Sequence, residues 1–201
     1  LYNNVDDVGF IRYLLNDVES SFNIDKKRIY AGGYSNGAQF TYRLSKQMTD
    51  RLAAISTVAG QRLSQDELGS PNRPISIMQF SGLMDKIAPY NGGLPKEGKV
   101  GINNSAYSVK EVIGSWINFN KCPKNITENK RIGKAVMVRY TKCNDNTEVI
   151  LWTLEDGGHT WPGGKISPNV EKLGLGSLGP INKDISASNL MWEFFKRHTL
   201  N

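Results

Sequence analysis

Arg28-Ile29-Tyr30-Ala31-Gly32-Gly33-Tyr34-Ser35-Asn36-Gly37-Ala38 runs without a linker from an apolar strand through a G-x-S-x-G turn into a helix. A serine placed this way sits in a sharp strand-to-helix reversal, and small residues on both sides are expected because neighbouring side chains would collide there. Gly33 and Gly37 are read as supplying that room. The helix that follows brings the partial positive charge of its N-terminus, and the Asn36 amide is the candidate donor to an oxygen that becomes negative when Ser35 attacks a carbonyl. Ser35 is the candidate nucleophile. The bare motif also occurs in ordinary turns, and the strand before it and the helix after it give it meaning.

Outward from this turn, the chain alternates strands and helices. Val8, Ile11, Leu15, Val18 and Phe22 recur at helical spacing, with Asn4 as the expected cap and Asp6 and Asp7 in the first turn. After Ser35 a helix is expected to bury Gly37, Phe40, Leu44 and Met48. Short apolar strands follow at 52–58 and 74–80, then a Gly- and Pro-containing connection over 82–104. A helix over 105–120 presents Val109, Val112, Ile113, Trp116 and Ile117 on one face. Strands at 134–143 and 148–154 flank Asn144-Asp145-Asn146-Thr147, a hairpin signal. A long loop then leads to a closing helix whose stripe is Ala187, Leu190, Met191, Phe194, Phe195 and His198. This succession predicts an α/β fold with a mostly parallel sheet flanked by helices.

A serine hydroxyl needs an imidazole to take its proton and a carboxylate to fix that imidazole. The chain has 2 histidines. His198, in the last turn of the closing helix, is read as structural. His159 lies in Gly157-Gly158-His159-Thr160-Trp161-Pro162-Gly163-Gly164, just past the last strand, and is the candidate base. For the acid, the chain order Ser, Asp, His selects Asp85, which follows the third strand. Asp156 competes, but it is only three residues from His159 and shares its loop.

With 201 residues, 39% of them hydrophobic, one domain over 1–201 is expected. No apolar run approaches the length of a bilayer span and no leader precedes Leu1, so neither membrane nor targeting segment is predicted. The net charge is +6 and the pI about 9.3. The basic residues form no block with interleaved aromatics, and the densest stretch, 121–142, reads as a solvated face over a loop and a strand rather than a nucleic-acid site. The 2 cysteines, Cys122 and Cys143, are too few for a zinc site. One disulfide is the natural reading, with two unrelated reduced thiols as the alternative; the bridge would place the protein outside a reducing cytosol, secreted or periplasmic. Asn103-Asn104-Ser105 and Asn125-Ile126-Thr127 match the glycosylation sequon.

Gly33-Tyr34-Ser35-Asn36-Gly37, Val5-Asp6-Asp7-Val8-Gly9-Phe10, Ala53-Ala54-Ile55 with Val58-Ala59-Gly60, and above all Gly158-His159-Thr160-Trp161-Pro162-Gly163 resemble the polyhydroxybutyrate depolymerase and feruloyl esterase family. The resemblance implies an α/β-hydrolase and a secreted serine esterase. Ser35, Asp85 and His159 would be its triad, Trp161 and Tyr34 would be substrate-binding aromatics, and there would be no metal or organic cofactor. The expected substrates are short-chain, hydroxyalkanoate, feruloyl-sugar or acetyl-sugar esters; the alternative is a weak or inactive domain that binds polyester or polysaccharide. Two departures stand out. Ser81-Gly82 precedes the acid where the family often has His-Gly. The family's first strands, one of which leads to a second oxyanion amide, have no counterpart before Leu1, as expected of a C-terminal fragment of a longer domain or of a natural truncation. Without those strands 28–34 becomes a sheet edge, and a homodimer through it is the expected remedy.

Overall fold

The computed structural model of the chain describes residues 5–61, 71–94, 105–165 and 178–200. Helix α1, Asp7–Ser21, begins where the Asp6 carboxylate accepts the Gly9 amide at 2.9 Å. Asp6, not Asn4, is thus the cap; Asn4 lies outside the described residues. Val8 is buried and Ile11 and Leu15 pack against the core, but Phe22 is 67% exposed. The helix stops before Phe22, whose extended backbone takes its side chain off the stripe.

Strand β1, Tyr30–Tyr34, leads into α2, Asn36–Gln47. That helix buries Ala38, Thr41, Tyr42 and Leu44, whereas Gly37 faces solvent. Strands β2, Ala54–Val58, and β3, Ser76–Gly82, are buried along their whole length. Helix α3, Val109–Phe119, opens on a capping box in which Ser108 and Glu111 satisfy each other's backbone amides. Then come β4, Glu128–Ile132, β5, Ala135–Tyr140, β6, Val149–Leu154, and α4, Ala187–Phe195.

The six strands form one sheet in the order β1-β2-β3-β6-β5-β4, with β1 at one end. β1, β2, β3 and β6 run parallel, and β5 and β4 add an antiparallel margin. The expected hairpin across residues 144–147 is present as β5–β6. β4 is a strand where the sequence reads as loop, because Glu128-Asn129-Lys130-Arg131-Ile132 shows no apolar alternation and is almost fully exposed. Its charged side chains suit an edge strand, since they discourage further pairing. Several of the nearby basic residues are paired: Arg131 with Glu155, and Arg139 with Glu128 and Glu148.

Alternation along the strands divides the core between the two faces. Ile55, Ile77 and Leu151 meet α1, α2 and α3 on one face. Met78, Phe80, Ile150 and Trp152 face α4 on the other, where it is the only helix among the described residues. α4 is anchored at its far end by Glu148, a buried carboxylate that takes hydrogen bonds from Arg197 at 2.7 Å and from Arg139, and that stands 3.3 Å from His198 Nε2. The Cys122–Cys143 bridge is formed and ties the end of α3 to the segment after β5. Among the described residues no helix is long and apolar enough to cross a membrane.

Burial alone would raise the Glu148 pKa, but hydrogen bonds from His198, Arg197 and Arg139 outweigh it and hold the carboxyl at about 2. The folded value lies below the unfolded one, so the stabilisation is complete above the unfolded value, is lost as pH falls through the window down to about 2, and is absent below it. Because Arg197 and Arg139 are partly exposed, Glu148→Gln is expected to lose about 2 kcal/mol of stability at pH 7, less than the full shift implies. Urea unfolding of both proteins from pH 7 to pH 2 should show the gap closing as pH falls. Reduction of the disulfide should lower stability by about 3 kcal/mol, as expected for a loop of this size, and urea melts with and without reductant measure it.

Candidate active site

Ser35 stands at the carboxyl end of β1 with φ 55° and ψ −118°, a backbone conformation L-residues rarely adopt. Three backbone hydrogen bonds hold it there. Its amide donates to the Val58 carbonyl at 2.9 Å, and its carbonyl accepts from Ala38 at 3.0 Å and Gln39 at 3.2 Å. Glycine is required at Gly33, where a Cβ would stand 2.1 Å from the Gly37 carbonyl oxygen, and at Gly60, where it would stand 2.6 Å from that of Ser35. At Gly37 a Cβ would meet nothing within 4 Å, so the motif's second glycine is not what gives the turn its room. Asn36 opens α2, and a first-turn amide has no acceptor within its own helix.

The loop after β6 brings in His159. Gly158 and His159 donate their amides to Pro180 at 2.8 Å and Leu178 at 2.6 Å. A Cβ on Gly158 would stand 2.3 Å from the Leu178 carbonyl, so close approach of these two segments requires a glycine. The loop after β3 docks alongside, with Leu83 donating to Leu154 and Met84 to Gly157, both at 2.9 Å. Gly82 is needed for this contact, since a Cβ there would meet the Gly157 carbonyl at 2.1 Å.

These loops place Ser35, His159 and Asp85 in one hydrogen-bonded row. His159 Nε2 is 2.7 Å from Ser35 Oγ, and His159 Nδ1 is 2.9 Å from Asp85 Oδ2. A carboxylate only accepts, so Nδ1 donates to Asp85 and the lone pair of Nε2 faces the serine hydroxyl. The side chains of Asp85 and His159 are 1% and 5% exposed. Asp85 Oδ1 is satisfied by the amides of Ile87 at 2.9 Å and Ala88 at 2.7 Å. The competing Asp156 is engaged by Asn182 at 2.7 Å. His198 is structural: its Nδ1 donates to the Phe194 carbonyl at 2.8 Å. Such a row can remove a proton from a hydroxyl as it attacks an electrophilic carbon and return that proton to a leaving group.

Two aromatic side chains border the row. The Tyr34 ring lies 5.2 Å from that of His159, and the Trp161 ring meets Tyr34 edge-on at 6.4 Å. The Tyr34 hydroxyl donates to the His159 carbonyl at 2.6 Å, a partner that the local sequence gives no sign of. The Trp161 indole N–H donates to Ser188 Oγ on α4 at 3.1 Å. Sequence reasoning missed Ser188 and Gly60; Gly60, ending Val58-Ala59-Gly60, could have been suspected as a close-approach glycine. Among the described residues no group of three or more His, Cys, Asp or Glu side chains is placed to hold a metal ion.

No protein-family model matches the chain. It is similar to feruloyl esterase B of Piromyces equi, 31% identical over 169 residues that make up 81% of this chain and 30% of that protein. A probable feruloyl esterase C of Aspergillus flavus is 30% identical over 195 residues, 96% of this chain and 58% of that one. A putative esterase of Nocardia uniformis subsp. tsuyamanensis is 28% identical over 170 residues, 79% and 49% of the two chains. The chain is thus a relative of the feruloyl esterases, and it spans 30% to 58% of the length of these curated relatives. Among solved structures it is similar to the acetyl xylan esterase from Aspergillus awamori, with a TM-score of 0.52 at 12% identity over 76% of this chain and 61% of that one. That likeness fits the α/β-hydrolase-type fold built up above.

The glycine geometry separates two residues that the motif treats alike. Gly33→Ala should disrupt the elbow and lower the thermal midpoint sharply or abolish soluble expression. Gly37→Ala should fold and gain up to about 1 kcal/mol from helix propensity. Thermal melts of the two variants provide the comparison.

Proposed function

We propose that the chain carries the catalytic centre of a serine carboxylic-ester hydrolase. The observation that carries this reading is the row itself: a serine in the positive-φ elbow conformation with its Oγ 2.7 Å from an imidazole whose other nitrogen is held by a buried carboxylate. In the proposed reaction Ser35 Oγ attacks the ester carbonyl while its proton passes to His159 Nε2. The carbonyl oxygen becomes an oxyanion facing the Asn36 amide, and a donor of that kind contributes roughly 3 to 4 kcal/mol to the transition state. As the ester C–O bond breaks, the His159 proton goes to the leaving alcohol. Water then attacks the acyl-Ser35 ester, giving its proton to His159, which returns it to Ser35 as the carboxylic acid leaves. Asp85 holds the imidazole in the required tautomer throughout and stabilises its charged form.

Feruloyl and acetyl esters of plant-wall sugars are the substrates we favour, supported by the names of the relatives and by the aromatic border of Tyr34 and Trp161. Hydroxyalkanoate oligomers and short aliphatic esters are the other arms of the same test. The disulfide favours a place outside a reducing cytosol. The sequon at Asn125 lies on exposed residues, whereas most of the one at Asn103 lies outside the described residues.

The test is a panel of p-nitrophenyl acetate, methyl ferulate, acetylated xylan and hydroxybutyrate oligomers. Ser35→Ala and His159→Ala should each abolish the p-nitrophenyl acetate burst and lower kcat by about 10⁴-fold or more, and the double variant should lose little beyond either one, because such groups act as a unit. Asp85→Asn should lower kcat by about 10⁴-fold with the fold kept. A burst that survives in Ser35→Ala would sink the reading.

A further inference from the structure

We infer that Tyr34 is a positioning residue that fixes the His159 imidazole between Asp85 and Ser35 by holding the His159 backbone, a role that rests on the serine-hydrolase reading above. The His159 segment is held on one side by its amides. Gly158 and His159 donate to Pro180 and Leu178, and the Thr160 hydroxyl donates to Pro180 at 2.9 Å. On the other side the His159 carbonyl accepts from the Tyr34 hydroxyl at 2.6 Å. Among the described residues this is the one hydrogen bond between the elbow and the histidine loop apart from the Ser35–His159 contact itself. It closes a small ring. Tyr34 is covalently joined to Ser35, its hydroxyl holds His159, and His159 Nε2 returns to Ser35 Oγ, so nucleophile and base are tied to each other through the residue between the strand and the turn.

The ring of Tyr34 serves the same end. Half-buried, it lies beside the imidazole and meets the Trp161 ring edge-on, contacts that favour the placement in which its hydroxyl reaches the carbonyl. Burial and the nearby Asp85 charge push its pKa up to about 12, so the phenol remains a donor at neutral pH. A hydroxyl committed in this way is not free for a substrate. The same strand carries a matched control: the Tyr30 hydroxyl donates to the His198 carbonyl at 2.8 Å, away from the row.

The experiment uses the chain labelled with ¹⁵N-histidine, which gives signals from two residues only. Tyr34→Phe should shift or broaden the His159 ring signals, including the Nδ1 proton bonded to Asp85, and leave those of His198 in place; Tyr30→Phe should do the reverse. In the ester assay Tyr34→Phe should lower kcat about 10- to 100-fold, as expected for a misplaced base, with KM within about twofold. Unchanged His159 signals would overturn the inference, and so would a raised KM with kcat kept, which is the result for a substrate-binding wall. If the unmutated chain hydrolyses none of the panel, the serine-hydrolase reading fails and the spectra alone decide the placement of His159. Should Tyr34→Phe not fold, 3-fluorotyrosine placed at position 34 alone keeps the ring and strengthens the donor. It must move the His159 signals, and spectra like those of the unmodified chain overturn the inference.

Discussion

The backbone reversal at Ser35 is the constraint on which the rest of the site depends. A non-glycine residue in that region carries strain of roughly 1 to 3 kcal/mol, and it persists only where the surroundings leave the chain no alternative. Here the surroundings are specific. β2 must lie alongside in parallel register, Tyr34 opposite Val58, so that the Val58 carbonyl can receive the Ser35 amide. α2 must start at once, so that Ala38 and Gln39 can close on the Ser35 carbonyl. The chain leaving β2 must turn sharply, with Ala59 also at positive φ, and must be bare at Gly60, where a Cβ would run into both Ser35 and Ala38. The strain of the reversal is therefore offset by packing that belongs to two strands and a helix.

Parallel strands bring the other two members to the same place. β1, β3 and β6 run in one direction, so the chain leaves each of them on the same edge of the sheet. Gly82 and Leu154 are register partners at the ends of β3 and β6, and the hydrogen bonds from Leu83 to Leu154 and from Met84 to Gly157 carry that pairing on into the loops. Asp85 and His159 are brought side by side first by this backbone pairing, and only then by the bond between their side chains. At the opposite edge Glu148 gathers Arg139, Arg197 and His198 and fixes the end of α4. The ion-paired cluster around Glu148 and the Ser35–His159–Asp85 row thus stand at the two ends of β6, one before its first residue and the other past its last.

The alternation of strands and helices, the parallel centre of the sheet and the row Ser35, His159, Asp85 were legible because each leaves a local trace: apolar runs, a turn motif, a glycine-flanked histidine. What was not legible depends on tertiary partners or on an absence of pattern. β4 carries no apolar period because both of its faces are wet, and its pairing is set by β5 and not by its own side chains. Phe22 continues the numerical spacing of the α1 stripe, but the helix ends one residue too soon for that spacing to matter. Gly33 and Gly37 are symmetric in the motif and unlike in space, since one lies against a carbonyl and the other faces solvent. The Tyr34 hydroxyl finds its acceptor 125 residues away, and nothing in its neighbourhood marks it as anything but an aromatic beside a serine.

The choice between Asp85 and Asp156 shows how little of the site is left to side-chain freedom. Sequence favours Asp85 over Asp156 by its place after the third strand, on a loop separate from that of His159, and by the family resemblance. The structure supplies an electrostatic reason. A carboxylate as buried as Asp85 is tolerable when backbone amides satisfy it, and the amides of Ile87 and Ala88 occupy Oδ1 and leave Oδ2 to the imidazole. Asp156 is partly exposed, accepts from Asn182 and has Lys134 at 3.9 Å, so its charge is answered by partners other than the imidazole. With Asp85 fixed by its own loop, the imidazole is bounded at Nδ1 by a rigid acceptor, at Nε2 by a serine that backbone hydrogen bonds hold in place against its strain, and at its backbone by the Leu178 carbonyl and the Tyr34 hydroxyl. A ring constrained at all of these points is held with Nε2 at the Ser35 hydroxyl, and the reaction proposed for it would require little reorganisation.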